Sequence, residues 1–176
     1  MIMGMFFFLI IFIVILFGFR ITQYMVTAAY VEDALAASNL ASAVIDLKEY
    51  GINHTVCIQD PEKAFLLYRE ALCHNLRTDD ALQTTNSELL AADVTILEYI
   101  IYNIRDEQVE IYVLDGKGRM KEYREAQKGE VYTPDHVKVE NTTIYSRVGF
   151  YVNSLMEQLI YTEKEKSIDI VRYEGE

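Results

Sequence analysis

No charged side chain occurs between Met1 and Phe19, and only Gly4 and Gly18 interrupt an otherwise apolar run. Neither proline nor glycine occurs between Ile21 and Lys48. Tryptophan is missing altogether, and the 176 residues include only two prolines, two cysteines and three histidines. Positive charge is also in deficit, with 16 Lys and Arg against 27 Asp and Glu, a formal net charge of −11. Without a basic stripe the chain lacks the attraction to phosphate that supplies most non-specific nucleic-acid binding, so DNA and RNA are not expected partners.

Catalytic motifs are equally scarce. There is no Gly-x-Ser-x-Gly elbow, no zincin helix and no calcium loop of alternating Asp or Asn closed by Glu. Lys117-Gly118 lacks both the spaced first glycine and the Ser/Thr of a phosphate loop and reads as a hairpin turn, while Asp79-Asp80 reads as solvated surface. His54, Cys57, Cys73 and His74 raise the question of zinc, but an adjacent Cys-His pair rarely aims two ligands at one tetrahedral ion. No enzymatic activity, cofactor or metal is expected. The length accommodates one compact domain and an appendage, and a hydrophobic content of 51% excludes a disordered chain.

The apolar segment is the dominant feature of what remains. At ~1.5 Å per residue a helix over Met1 to Phe19 spans ~28 Å, close to a hydrocarbon core of ~30 Å. A retained membrane anchor over residues 1–20 is therefore expected. A cleaved secretory signal would need a basic n-region, whereas MIMG offers only its terminal amine, and Ala34-Leu35-Ala36 lies far downstream for a cleavage site. A buried core helix is the third alternative. Arg20 alone points the downstream chain toward the cytoplasm by the positive-inside rule. The anchor-then-domain arrangement and the two cysteines point the other way, and the head is expected outside.

Ile21 to Lys48 is dense in Ala, Leu and Met, so the helix is expected to continue as an amphipathic segment over residues 21–50. Such a rod from Met5 to Lys48 would be about 66 Å long, with Gly51 as its stop. Along it Ala34, Ser38 and Ser42 recur every four residues, with Ala37 and Ala41 as a neighbouring row. Small side chains at that spacing let two helix backbones approach closely. They serve either contact with another chain or packing on the protein's own domain.

Residues 51–176 carry most of the 13 tyrosines and are expected to form an extracytoplasmic α+β head. Asp60-Pro61-Glu62 is a helix start, and the helix to about Asn75 is expected to bury Phe65, Leu66, Leu72, Cys73 and Leu76. Asp79 to Ala92 reads as a loop with a short helix around Ser87 to Ala91. Strands are expected over Val94 to Ile104, Val109 to Leu114, Arg119 to Glu125, Thr142 to Val152 and Lys166 to Tyr173. Asn153 to Tyr161 either prolongs a strand or forms a short helix. Asp115-Gly116-Lys117-Gly118 closes a hairpin, and Lys128-Gly129 and Thr133-Pro134-Asp135 punctuate a loop. The expected fold is α+β: a long N-terminal helix and a second helix packed on one face of an antiparallel sheet of four or five strands. Cys57 and Cys73 form a possible disulfide, worth about 3 kcal/mol by loop closure, or remain two buried thiols. Asn53 and Asn141 begin glycosylation-type triplets, meaningful only in a eukaryotic secreted chain.

An apolar N-terminus running into the small-residue-rich helix ITQYMVTAAYVEDALAASNLASAVIDL and then a small α+β head resembles pilins and pseudopilins of the type IV superfamily. Within it, the pattern is most similar to minor pilins of the tight-adherence type, the TadE-like group. The resemblance covers the first ~50 residues in pattern. It implies a helix that serves first as bilayer anchor and later packs with other subunits in a filament or membrane assembly. It also implies leader-peptidase cleavage between Gly4 and Met5, although Leu9 stands where the family usually has Glu and the MIMG leader carries no basic residue. The expected role is thus a structural or assembly subunit of a surface pilus-like apparatus. The alternative is a single-pass anchored sensor or ligand-binding domain.

Overall fold

Helix α1 (Ile2–Ser42) is a single uninterrupted rod in the computed structural model, which describes residues 2–85, 90–153 and 158–171. Its first half is apolar on every side. Its second half buries Thr27, Ala28, Val31, Ala34, Leu35, Ser38, Asn39 and Ser42, the three-and-four spacing of one helix face.

The helix ends before the expected Lys48. Ser42 Oγ donates to the Asn39 carbonyl at 2.8 Å, and the Val44 N–H turns back to the Ser42 carbonyl at 2.8 Å. Ile45 then pairs with Ile58, and the Asp46 N–H donates to the Cys57 carbonyl at 2.9 Å. The Asp46 carboxylate accepts from the N–H groups of Lys48 and Glu49 and so caps a new short helix, α2 (Leu47–Asn53). Gly51 lies inside α2 rather than at a stop, so a boundary between 50 and 51 divides an element. A residue that can cap competes with one that merely continues a helix, and Asp46 resolves the competition here.

Helix α3 (Pro61–Leu76) begins as expected, with the Asp60 carboxylate accepting from the Lys63 N–H at 2.9 Å and Pro61 in the first turn. It closes on Arg77, whose φ of 53° is the left-handed cap that frees the last carbonyls for the Arg77 and Thr78 N–H groups. Its buried face is Ala64, Phe65, Tyr68, Leu72, Cys73 and Leu76. Leu66 is 62% exposed, contrary to expectation. One residue advances about 100°, so next to the buried Phe65 it points off the face.

The sheet has five antiparallel strands, β1 (Thr95–Arg105), β2 (Gln108–Leu114), β3 (Met120–Gln127), β4 (Thr142–Asn153) and β5 (Leu159–Ile170), in the order β3-β2-β1-β4-β5. The fold is α+β, as expected. β5 begins seven residues before Lys166 and ends at Ile170. Asn153 closes β4 and Leu159 to Tyr161 open β5; the rest of that uncertain stretch, 154–157, lies outside the described residues, as does 86–89 of the short helix expected around Ser87. In the β2–β3 turn the Asp115 carboxylate accepts from the N–H groups of Lys117 and Arg119, and these bonds together with the Arg119 guanidinium lower its pKa to about 2. Gly118, at φ 77°, leaves no room for a side chain: a Cβ there would lie 2.4 Å from the Phe65 ring.

One face of the sheet takes α1 and α3. Val31, Leu35, Phe65, Tyr68, Leu72, Tyr99, Ile101, Ile144, Val148 and Phe150 form this core. At its centre the Tyr99 ring meets Phe65 edge-on at 5.6 Å and Tyr68 at 4.8 Å. The opposite face, on which the sequence reading is silent, is also covered. Ile100, Tyr102, Val109, Ile111 and Tyr145 are covered by Val131 and Val139 from the segment between β3 and β4. That segment is tied down by the Lys128 N–H to the Glu107 carbonyl and by Ser167 Oγ to the Asp135 carboxylate at 2.6 Å.

Asn103 does the work of a missing strand residue. Its side chain accepts from the Ile58 N–H at 2.9 Å and donates to the Ile58 carbonyl at 2.8 Å, all fully buried. Replacing Asn103 by Leu strips both partners from Ile58, and we expect a loss of about 2 to 4 kcal/mol. Denaturant unfolding of the detergent-solubilised chain measures this, and a change below about 0.5 kcal/mol would contradict it.

Candidate membrane anchor and packing surface

The described apolar residues from Met5 to Phe17, and Phe19, are between 39% and 74% exposed, so no other described element shields them. The helix is long and apolar enough to cross a membrane, with a mean hydropathy of 2.6 over its best window. An element apolar on all sides is stable only where its surroundings are apolar too, and i to i−4 bonds satisfy the backbone groups along the interior of the span. Gly4 and Met5 lie inside this helix, in open space.

Polar character begins at Arg20, whose guanidinium donates to the Gln23 amide oxygen at 3.0 Å. One turn further on, the Tyr24 hydroxyl lies 3.3 Å from that of Thr162 on β5. Above this level α1 is tied to the head by a series of polar contacts. Glu32 pairs with Lys166 at 2.8 Å and Lys164 at 3.5 Å, Tyr30 donates to the Asn75 carbonyl at 2.6 Å, and the Asn39 amide donates to the Lys166 carbonyl at 2.9 Å. None of these long-range partners has a local signature in the sequence. The acidic pair Glu32-Asp33, the first carboxylates after the apolar run, is the nearest thing to one.

The small-residue rows divide between the two roles considered for them. Ala34, Ser38 and Ser42 face the protein's own core. Ser38 Oγ donates to the Ala34 carbonyl at 2.6 Å and accepts from the Asn75 amide at 3.2 Å, and Ser42 Oγ lies 2.8 Å from the Tyr99 hydroxyl. They let α3 and β1 approach the α1 backbone, and in this structure that row presents no surface to a second chain. Ala37 and Ala41 are exposed, beside Leu40 and Val44.

Cys57 and Cys73 are both free and buried, and the possible bridge between them is not formed. Cys73 belongs to the core between α3 and the sheet, whereas Cys57 lies beside Arg105, Asp46 and Glu49 at the far end of α1. Burial pushes the Cys57 thiol above its ordinary pKa. Among the described residues no group of three His, Cys, Asp or Glu is placed to hold a metal ion. The clefts are open grooves; one of about 530 Å3 is lined by Tyr24, Glu32, Arg147, Glu163, Lys164 and Glu165, and a smaller one by His54, Asp106, Lys128, Glu140 and Asn141 among others.

Comparison with protein-family models, with curated proteins and with solved structures returned no match to this chain.

Two tests follow from these contacts. Replacing the fully buried Ser38 by Leu overpacks the α1–α3 contact and should destabilise the head by about 1 to 3 kcal/mol without needing any second chain; an unchanged unfolding midpoint would show that the site tolerates bulk. The hydrogen bond from Lys166 holds the Glu32 carboxyl below its ordinary pKa and the Lys166 ammonium above its own. A lowered carboxylate stabilises above its ordinary range and loses that contribution as pH falls through the shifted value; the raised ammonium loses its contribution only as pH rises through the shifted lysine value. The stability difference between the native chain and Glu32→Gln should therefore be flat from about pH 6 to 9 and shrink toward zero in acid, as read from unfolding midpoints against pH. Partial exposure keeps the plateau within about 1 kcal/mol. A difference that grows in acid would contradict this assignment.

Proposed function

We propose that this chain is a structural or assembly subunit, of the minor pilin or pseudopilin kind, held in the cell membrane by its N-terminal helix with the α+β head outside. The observation that carries the reading is α1 itself. Among the described residues its first half packs against no other element, its second half is bonded into the head, and no break separates the two. A helix of that kind can sit in lipid and later exchange lipid for sister helices without remodelling the head. The surface available for that exchange runs up the outer side of α1 through Ala37, Leu40 and Ala41, with Val44 just past the helix end, which the head leaves uncovered. Two alanines there allow the close backbone approach on which helix association depends when both partners are apolar.

The alternative, an anchored sensor or ligand-binding domain, calls for an enclosed pocket with convergent polar groups, and the open grooves described above do not favour it.

Cross-linking tests the subunit reading. Cys57 and Cys73 are buried, so an Ala37→Cys variant presents an accessible thiol on the outer side of α1. Mild oxidation of cells expressing it should give disulfide-linked dimers on non-reducing gels, lost in the native chain. A variant that stays monomeric under oxidation, in a protein that fractionates as a monodisperse monomer from membranes, would overturn the reading.

A further inference from the structure

We propose that the lower end of β5, Leu159-Ile160-Tyr161, is a second membrane contact that rests in the interfacial layer of the bilayer beside α1. The inference rests on the anchoring of α1 and adds to it a foot supplied by the head. Four contacts fix the direction of β5 along the helix: Tyr24 with Thr162, Glu32 with Lys164 and with Lys166, and Asn39 with the Lys166 carbonyl. Higher residue numbers on one element meet higher numbers on the other, so both rise together. Following β5 back from Thr162 to Leu159 therefore descends toward the apolar end of α1, by at most about 10 Å at the rise of a strand. Arg20, where α1 turns polar, lies about 6 Å below Tyr24 at the rise of a helix. The strand end thus reaches the level at which the helix leaves its apolar run.

The two elements change character at the same height. α1 is apolar through Phe19 and polar from Arg20; β5 is apolar through Tyr161 and reads Thr-Glu-Lys-Glu-Lys from Thr162 onward. Leu159, Ile160 and Tyr161 are 53%, 49% and 45% exposed. Successive strand residues point to opposite faces, and the pairing of Ile160 with Val152 and of Tyr161 with Tyr151 places them so. A protein docked on one face of the sheet would cover Ile160 or its two neighbours, not all three. A surrounding apolar medium covers all three at once, which favours lipid as the occupant. The Tyr161 ring is held in place, packed over Gly149 so closely that a Cβ there would lie 2.1 Å from its hydroxyl, and stacked edge-on against Tyr151 at 5.3 Å. Tyrosine with an apolar body and a polar tip is the side chain that prefers the headgroup boundary, and Tyr24 on α1 provides a second at the same level.

The absence of tryptophan makes the test direct, because one introduced indole is the only such fluorophore. Full-length single-substitution variants Leu159→Trp and Ile160→Trp, at exposed positions, are reconstituted in phosphatidylcholine nanodiscs carrying a doxyl quencher either near the headgroup or at mid-chain. Phe12→Trp reports the anchor and Ile52→Trp, on α2 beyond the other end of α1, reports the water-facing side. The expected result is loss of emission at positions 159 and 160 to the shallow quencher more than to the deep one, loss at 12 to the deep quencher, and none at 52. Quenching at 12 without quenching at 159 and 160 would overturn the foot and leave the anchor standing. No quenching at 12 would overturn the anchor, and the foot with it.

Discussion

One helix carries two kinds of surface. The lower part of α1 exposes apolar side chains on every side, and the upper part must bury a single stripe against a head rich in charge. Because the backbone bonds are internal to the helix, the same secondary structure runs through both stretches without a joint. The remaining architecture follows from attaching a head to the upper stripe without gripping the lower part.

That attachment is made with polar contacts set among apolar ones. Val31 and Leu35 supply burial, but a stripe of Ala and Ser alone would tolerate sliding along the groove between α3 and the sheet. Tyr30 with Asn75, Ser38 with Asn75, Ser42 with Tyr99 and Asn39 with Lys166 are directional, and each fixes the height of α1 at one point. Such bonds contribute modestly to net stability but are costly to leave unmade once buried, which makes the observed height the favoured one. Asn103 plays the same part at the other end of the sheet, holding the segment after α2 to β1 through Ile58.

The elements legible in the sequence were those set by local chemistry. The apolar run, the Asp60-Pro61 helix start, the Asp115 turn and four of the five strand starts are within a residue or so of expectation, because a cap, a turn residue or a β-branched run acts over a few positions. What was not legible depends on partners far along the chain. The end of α1 at Ser42 needs Tyr99 and Cys57 to be where they are; Leu66 was misplaced because the helix face is chosen by Tyr99 and the sheet; the early start of β5 needs β4 as its template, since Glu-Lys alternation carries little strand signal of its own. The second core beneath Val131 and Val139 went unseen because a loop sequence does not declare which surface it will cover. For the packing surface, spacing identified two rows of small residues, and only the fold could say that one faces inward.

The continuity of α1 also has a mechanical side. A domain joined to its anchor by a flexible tether can swivel and is insulated from strain at its root. Here one uninterrupted helix runs from the apolar stretch into the head, so a tilt at its base would carry the sheet with it. The lateral bonds of Tyr30, Asn39 and Ser42 are spread over that length, so pulling the head along the axis would strain them together rather than one after another.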